Sequence, residues 1–234
     1  MKEIQRDAEV STVQAMIFDF DGVIVESTDI KSLAMAEIFE DEPGLVPAIL
    51  DLNRQLGGIS RLVKFEQIYA DILRRDISDV EKEQLAEQFR TIVFDRVVNC
   101  PPTPGAIDFL RRHAGRRPLF LLSGTPDQEL KEIVDARGLG DLFIEVYGSP
   151  PGKPETIRRI IAEHDLPPRG VVLVGDASMD REAALEAGVR FIGRLSDADS
   201  NPFPEDTIVI PDLTELDAAL ARLGLPMPDH ASDA

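Results

Sequence analysis

Short, uninterrupted apolar runs punctuate this chain, and the polar groups placed directly after each run limit the folds open to it. Ala15-Met16-Ile17-Phe18 leads into Asp19-Phe20-Asp21-Gly22, Leu119-Phe120-Leu121-Leu122 into Ser123-Gly124-Thr125, and Val171-Val172-Leu173-Val174-Gly175 into Asp176 and Asp180. A fourth run, Leu142–Tyr147, apolar except for Glu145, is followed by the Pro/Gly-rich stretch Gly148–Gly152 and then Lys153. Continuous apolar runs without polar alternation are what parallel strands look like when both sheet faces are covered. Ligands of open α/β sheets gather at the carboxyl ends of such strands. These groups are therefore expected to form one site on that edge, where they suggest magnesium-assisted transfer of a phosphoryl group onto an aspartate.

The text between the runs supports this architecture. Residues 13–18 read as the first buried strand. The next stretch is helical in period: Ile30, Leu33, Ala34 and Ile38 recur at helical spacing, as do Ile68, Ile72 and Leu73, then Val80, Leu85, Phe89, Ile92 and Val93. Pro101, Pro102, Pro104 and Gly105 mark the exit. Strand and helix then alternate: helix Ala106–Ala114, strand Pro118–Leu122, helix Asp127–Arg137, strand Leu142–Tyr147, helix Pro154–His164, strand Val171–Val174, helix Ser178–Ala187, strand Val189–Ile192, strand Thr207–Ile210 and helix Leu213–Leu223. The expected fold is α/β: a doubly wound, Rossmann-like parallel-sheet core from residues 1–25 and 97–225, a small inserted α-helical domain over 26–96, and a disordered tail over 226–234.

Composition narrows the function. Apolar residues make up 43% of the 234, enough for a sizeable core. Forty-three acidic against 25 basic residues give a net charge of −18, which disfavours nucleic acid and anionic membrane surfaces as partners. The single cysteine, Cys100, permits no internal disulfide, and no stretch resembles a secretion signal or a membrane span. A cytoplasmic setting is expected; monomer and homodimer both remain open.

Asp19 and Asp21, two apart in extended chain, point to the same side. Carboxylates about 4 Å apart repel by roughly 4 kcal/mol at an effective dielectric of about 20. A divalent cation or a shared proton relieves that repulsion. Alone, this segment reads equally as an Asx turn, and Asp176 with Asp180 equally as helix N-capping. Together the two pairs favour a magnesium site of hard oxygen ligands. Ser123 and Gly124 suit a phosphate cradle at a helix start, although Ser123 or Thr125 also suits a cap. Lys153, with prolines close on both sides, suits a fixed positive charge. The three histidines, His113, His164 and His230, offer no zinc-site spacing.

In their order, Asp19-Phe20-Asp21-Gly22-Val23, Ser123, Lys153-Pro154 and Gly175-Asp176-Ala177-Ser178-Met179-Asp180 resemble the four motifs of the haloacid dehalogenase-like hydrolase superfamily. The resemblance covers residues 13–25 and 97–195. It implies that Asp19 is the nucleophile and a magnesium ligand. It makes Asp21 the acid and base, with its backbone carbonyl on the metal, and Asp176 and Asp180 metal residues. Ser123, Gly124 and Gly22 would serve the phosphoryl group, and Lys153 would neutralise charge. An acid at position 21 argues for phosphatase or phosphomutase, since dehalogenases lack it and pumping ATPases carry Thr there. The insertion resembles the cap of the phosphoglycolate phosphatase and beta-phosphoglucomutase group. Its Leu56-Gly57-Gly58-Ile59-Ser60-Arg61 resembles that group's specificity loop, which makes Arg61 a candidate substrate contact; alone, it reads equally as a helix start capped by Ser60 with Arg61 exposed. Lys31, Arg54 and Lys64 are further cations there without a distinct signal. Glu26 stands where the group more often has Asp. The expectation is a magnesium-dependent phosphatase for a small phosphorylated metabolite such as a sugar phosphate or phosphoglycolate. A phosphomutase is the alternative, and a non-catalytic phospho-receiver a third.

Overall fold

The computed structural model describes residues 10–56, 59–196 and 201–228. Among the described residues six parallel strands form one sheet: β1 (Ala15–Phe18), β2 (Leu119–Pro126), β3 (Glu145–Ser149), β4 (Val171–Gly175), β5 (Arg190–Arg194) and β6 (Val209–Ile210). The order is β3-β2-β1-β4-β5-β6, so β1 is central and the chain reverses direction across the sheet on either side of it. This is the doubly wound, Rossmann-like arrangement expected, and it places the ends of β1, β2 and β4 side by side. Met16 pairs with Leu119 on one side and Val172 on the other. All four residues of β1 and all five of β4 are buried, which is why both read as unbroken apolar text.

Helices cover both faces. Residues Met16 and Phe18 join one core with Phe109, Leu110 and Leu130, while Ala15 and Ile17 join another with Ile157, Ile160 and Ala183. The crossover helices are α5 (Ala106–His113), α6 (Asp127–Ala136), α7 (Lys153–Glu163) and α8 (Ser178–Ala187), with α9 (Leu216–Arg222) closing the chain. Between β1 and β2 stands the helical insertion: α1 (Thr28–Ile38), α2 (Val46–Gln55), α3 (Arg61–Gln67), a π-helical turn Ile68–Leu73, and α4 (Asp79–Asn99). (In chain order these precede α5.) A reciprocal cap starts α4, where Ser78 and Glu81 each satisfy the other's backbone N–H. Phe65 and Phe89 meet edge to face at 6.4 Å at its centre. The two crossings into the insertion are tied together. Glu26 N–H donates to Pro101 O at 3.0 Å, and Thr103 N–H to Ile24 O at 3.0 Å.

Several details differ from expectation. β3 begins at Glu145 because Gly140–Leu142 forms a 3-10 turn. α2 has no counterpart in the sequence reading; only Ile49 and Asn53 of it are buried, too sparse a stripe to read. Leu33 and Val80, assigned to apolar stripes, are exposed, and Met35 occupies the inward position on α1. Pro226, assigned to the tail, accepts a hydrogen bond from Val13 N–H, and Met227 packs on the core. Residues 1–9 and 229–234 of the expected domains lie outside the described residues, as do Gly57 and Gly58 of the candidate specificity loop and His230. Among the described residues no helix is long and apolar enough to cross a membrane.

Candidate active site

The carboxyl ends of β1, β2 and β4 open into a cavity of about 870 Å³ between the sheet and the helical insertion. Its lining includes Asp19, Asp21, Ser123, Gly124 and Asp176 from the sheet side and Lys31, Arg61 and Lys64 from the insertion.

Asp19 follows the last residue of β1 and is 2% exposed. Its backbone N–H donates to Val174 O of β4. Its Oδ1 accepts from the Phe20 N–H at 2.8 Å and faces Lys153 Nζ at 3.0 Å. Lys153 also donates to Asp180 Oδ1 at 2.5 Å. It is the first residue of α7, not a loop residue, and Pro154 beside it occupies the first turn, where a missing N–H costs nothing. Asp180 is fully buried in the first turn of α8, and its Oδ2 accepts from the Ala177 N–H at 3.1 Å.

Asp21 faces a different set of partners. Ser27 donates to its Oδ1 at 2.6 Å, and Ser123 and Thr125 to its Oδ2 at 3.2 Å each. Lys31 of α1 also donates to Oδ2, and to Thr125 Oγ1 at 2.9 Å. The turn carrying Asp21 closes on itself through Gly22 N–H to Val25 O at 2.8 Å. Gly22 has φ +73°, and a Cβ there would lie 2.1 Å from Asp176 Oδ2. Only glycine fits both conditions.

Oxygens of Asp19, Asp176 and Asp180 lie within 4.8 Å of one another. Burial pushes the Asp19 carboxyl up to about 7, against the pull of Lys153 and with help from Asp180 and Asp21. Burial, then Asp19 and Asp180, lift Asp176 well above the usual carboxylate range. Burial also works against the Lys153 ammonium, but Asp180 and Asp19 outweigh it and hold it charged. For Asp21, burial is outweighed by Lys31 together with hydrogen bonds from Lys31, Ser27 and Ser123, so it lies below its ordinary value. Three converging carboxylates with one lysine between two of them have the donor chemistry of a site for a hard divalent cation.

Thus Asp19, Asp21, Ser123, Lys153, Asp176 and Asp180 converge, with Gly22 and Gly124 beside them. Arg61 lines the same cavity, but its guanidinium forks onto both carboxylate oxygens of Glu129 in α6, each at 2.6 Å. It also donates to Ala86 O and lies over the Phe89 ring. Lys31, Ser27 and Thr125 were not singled out for the site by sequence. Lys31 had a readable signal: it shares the inward row of α1 with Ala34, Met35 and Ile38, a charge where apolar residues stand. Arg194 at the end of β5 was missed too. It donates to Gly22 O at 3.1 Å and pairs with Glu26 at 2.5 Å, anchoring the turn that bears Asp21.

The family model for haloacid dehalogenase-like hydrolases matches residues 13–188. A phosphoglycolate phosphatase from Synechococcus elongatus is 26% identical over 181 residues, covering 76% of this chain and 81% of that protein. A phosphoglycolate phosphatase from Pseudomonas putida is 25% identical over 186 residues, covering 76% and 68%. Among solved structures, beta-phosphoglucomutase from Clostridium difficile superposes with a TM-score of 0.73 at 19% identity, covering 91% of this chain and 97% of that one.

Proposed function

The chain belongs to the haloacid dehalogenase-like hydrolase family, and from that premise we propose that it is a magnesium-dependent phosphatase of small phosphomonoesters. One observation carries this reading. Asp19 is buried with Oδ1 held by the Phe20 N–H and Lys153, while Oδ2 takes no hydrogen bond among the described residues. A carboxylate fixed at one oxygen and open at the other, facing a cavity, is arranged as a nucleophile.

In the proposed reaction an Asp19 oxygen attacks phosphorus, and the bond from phosphorus to the ester oxygen breaks. That oxygen takes a proton from Asp21 and leaves as the alcohol. Water then attacks the aspartyl-phosphate and yields its proton to Asp21, releasing inorganic phosphate and restoring the Asp19 carboxylate. Ser123 and the Gly124 backbone orient the phosphoryl oxygens, and Lys153 opposes their charge. Magnesium would be held by Asp19, Asp176, the Asp21 carbonyl and, in or next to its shell, Asp180. It would supply charge neutralisation at the phosphoryl group. The hold of Lys31 on Asp21 favours the carboxylate, the form needed to take the proton from water. For the first step Asp21 would have to carry a proton, which it would take up when the entering leaving-group oxygen displaces the Lys31 ammonium from it.

The helical insertion acts as the cap, and its ion pairs to the sheet domain close the cavity over the substrate. The unpaired, buried Cys100 fits a reducing cytoplasm. Phosphate release from a panel of small phosphoesters, with and without magnesium, tests the reading. Asp19→Asn should abolish release while the protein stays folded, and normal turnover by that variant would refute it.

A further inference from the structure

Four cations of the insertion line the cavity, and three are already paired. Lys31 is held by Asp21, Arg61 by Glu129, and Arg54 by Asp51 at 2.9 Å. Lys64 of α3 is the exception. Its Nζ donates only to neutral oxygens of Asn53, Oδ1 at 3.0 Å and the carbonyl at 3.5 Å. Among the described residues it has no carboxylate within ion-pair distance. It nevertheless stands on the wall of the cavity that holds Asp19. A half-buried ammonium whose hydrogen-bond partners are all neutral gains when an anion joins it. Burial first, then the nearby Lys31 charge, lower its pKa to about 8, an effect that the more distant Asp21 and Asp176 carboxylates offset only in part.

On the phosphatase reading the phosphoryl charge is opposed on the sheet side by Lys153, which leaves Lys64 for another anion. We propose that Lys64 is the specificity-determining residue of this site: its ammonium recognises a second anionic group carried on the alcohol portion of the phosphate ester. This inference rests on the phosphatase reading above. The substrate class is then a small phosphate ester whose alcohol bears a carboxylate or a further phosphate. Either supplies the anionic oxygens that a lysine binds as a point charge. Arg61, the cation of the loop nearest in sequence, is taken by Glu129, and this leaves recognition to Lys64.

The test compares wild type, Lys64→Met and Lys64→Arg on 2-phosphoglycolate and on ethyl phosphate, which has the same chain length without the acid. A charge-assisted contact predicts that the ratio of their kcat/KM values falls about 10- to 100-fold in Lys64→Met. Lys64→Arg should restore much of it. An unchanged ratio in Lys64→Met overturns the proposal, as does a ratio that neither variant distinguishes. A binding arm stands apart from turnover and from the folding of any variant. Melting of the wild-type protein with magnesium is monitored with 3-phosphonopropionate, with propane-1,3-bisphosphonate and with propylphosphonate. At least one of the two doubly anionic phosphonates should raise the midpoint more than propylphosphonate does, and which one does so separates carboxylate from phosphate. Equal shifts for all three overturn the proposal. If wild type prefers a doubly anionic phosphonate but releases phosphate from no ester, the phosphatase reading fails and the anion subsite stands.

Discussion

The carboxylate cluster should make the metal-free protein pH-sensitive in a direction opposite to ordinary acid denaturation. Asp19 has its carboxyl raised from 3.8 to about 7 by burial and by Asp180 and Asp21, net of the attraction to Lys153. A carboxyl raised on folding holds its proton more tightly in the folded state. Its contribution is therefore harmless below about pH 4 and becomes steadily destabilising as pH climbs to about 7. Above that both states are ionised and the penalty levels at roughly 4 kcal/mol; at pH 5 it is about 2 kcal/mol. Asp19→Asn removes the titration yet keeps an oxygen to accept from the Phe20 N–H, and Lys153 keeps Asp180 as partner. Urea denaturation in EDTA at pH 5 and pH 8 reads the difference. The variant should be more stable than wild type, with a gap that roughly doubles from pH 5 to pH 8. Magnesium added at pH 8 should close the gap by stabilising wild type. A gap that is absent, reversed or independent of pH would refute the electrostatic account of this cluster.

Lys153→Met removes the cation that pairs with both Asp19 and Asp180, so kcat should fall about 10²- to 10³-fold or more in a phosphate-release assay. Breaking the Arg61–Glu129 pair with Arg61→Met leaves a buried carboxylate alone and should cost about 3–5 kcal/mol in urea melts. Arg61→Met combined with Glu129→Leu should recover most of that loss, and a double variant as weak as the single one would show that packing, not charge, is at stake.

How legible the protein is from its sequence depends on where each residue is buried. β1, β2 and β4 are central and covered on both faces, so apolar text reveals them, and the groups at their ends announce the site. β3 lies on the sheet edge, and the apolar stretch before it is misleading, because Ile144 is 53% exposed. Asp19, the proposed nucleophile, Lys153 and the Asp176/Asp180 pair occupy positions fixed by the ends of elements, which sequence order can encode. The partners of the insertion cannot be read this way. Arg61 and Glu129 are separated by 68 positions, and nothing local in either segment anticipates their fork.

That fork bears on the choice between hydrolase and mutase. A mutase must let either phosphate of a bisphosphorylated intermediate occupy either end of the cavity, so both ends need comparable anion-binding strength. At the Asp19 end stand Lys153, Ser123 and Thr125. On the insertion side Glu129 has neutralised Arg61, and among the described residues the Lys64 ammonium has no ion-pair partner. One lysine steers and orients one anionic group; it does not duplicate a phosphoryl-transfer cradle. This inequality favours one-way hydrolysis, with the acid group of the substrate held by Lys64 as proposed above while the phosphoryl group alone meets Asp19.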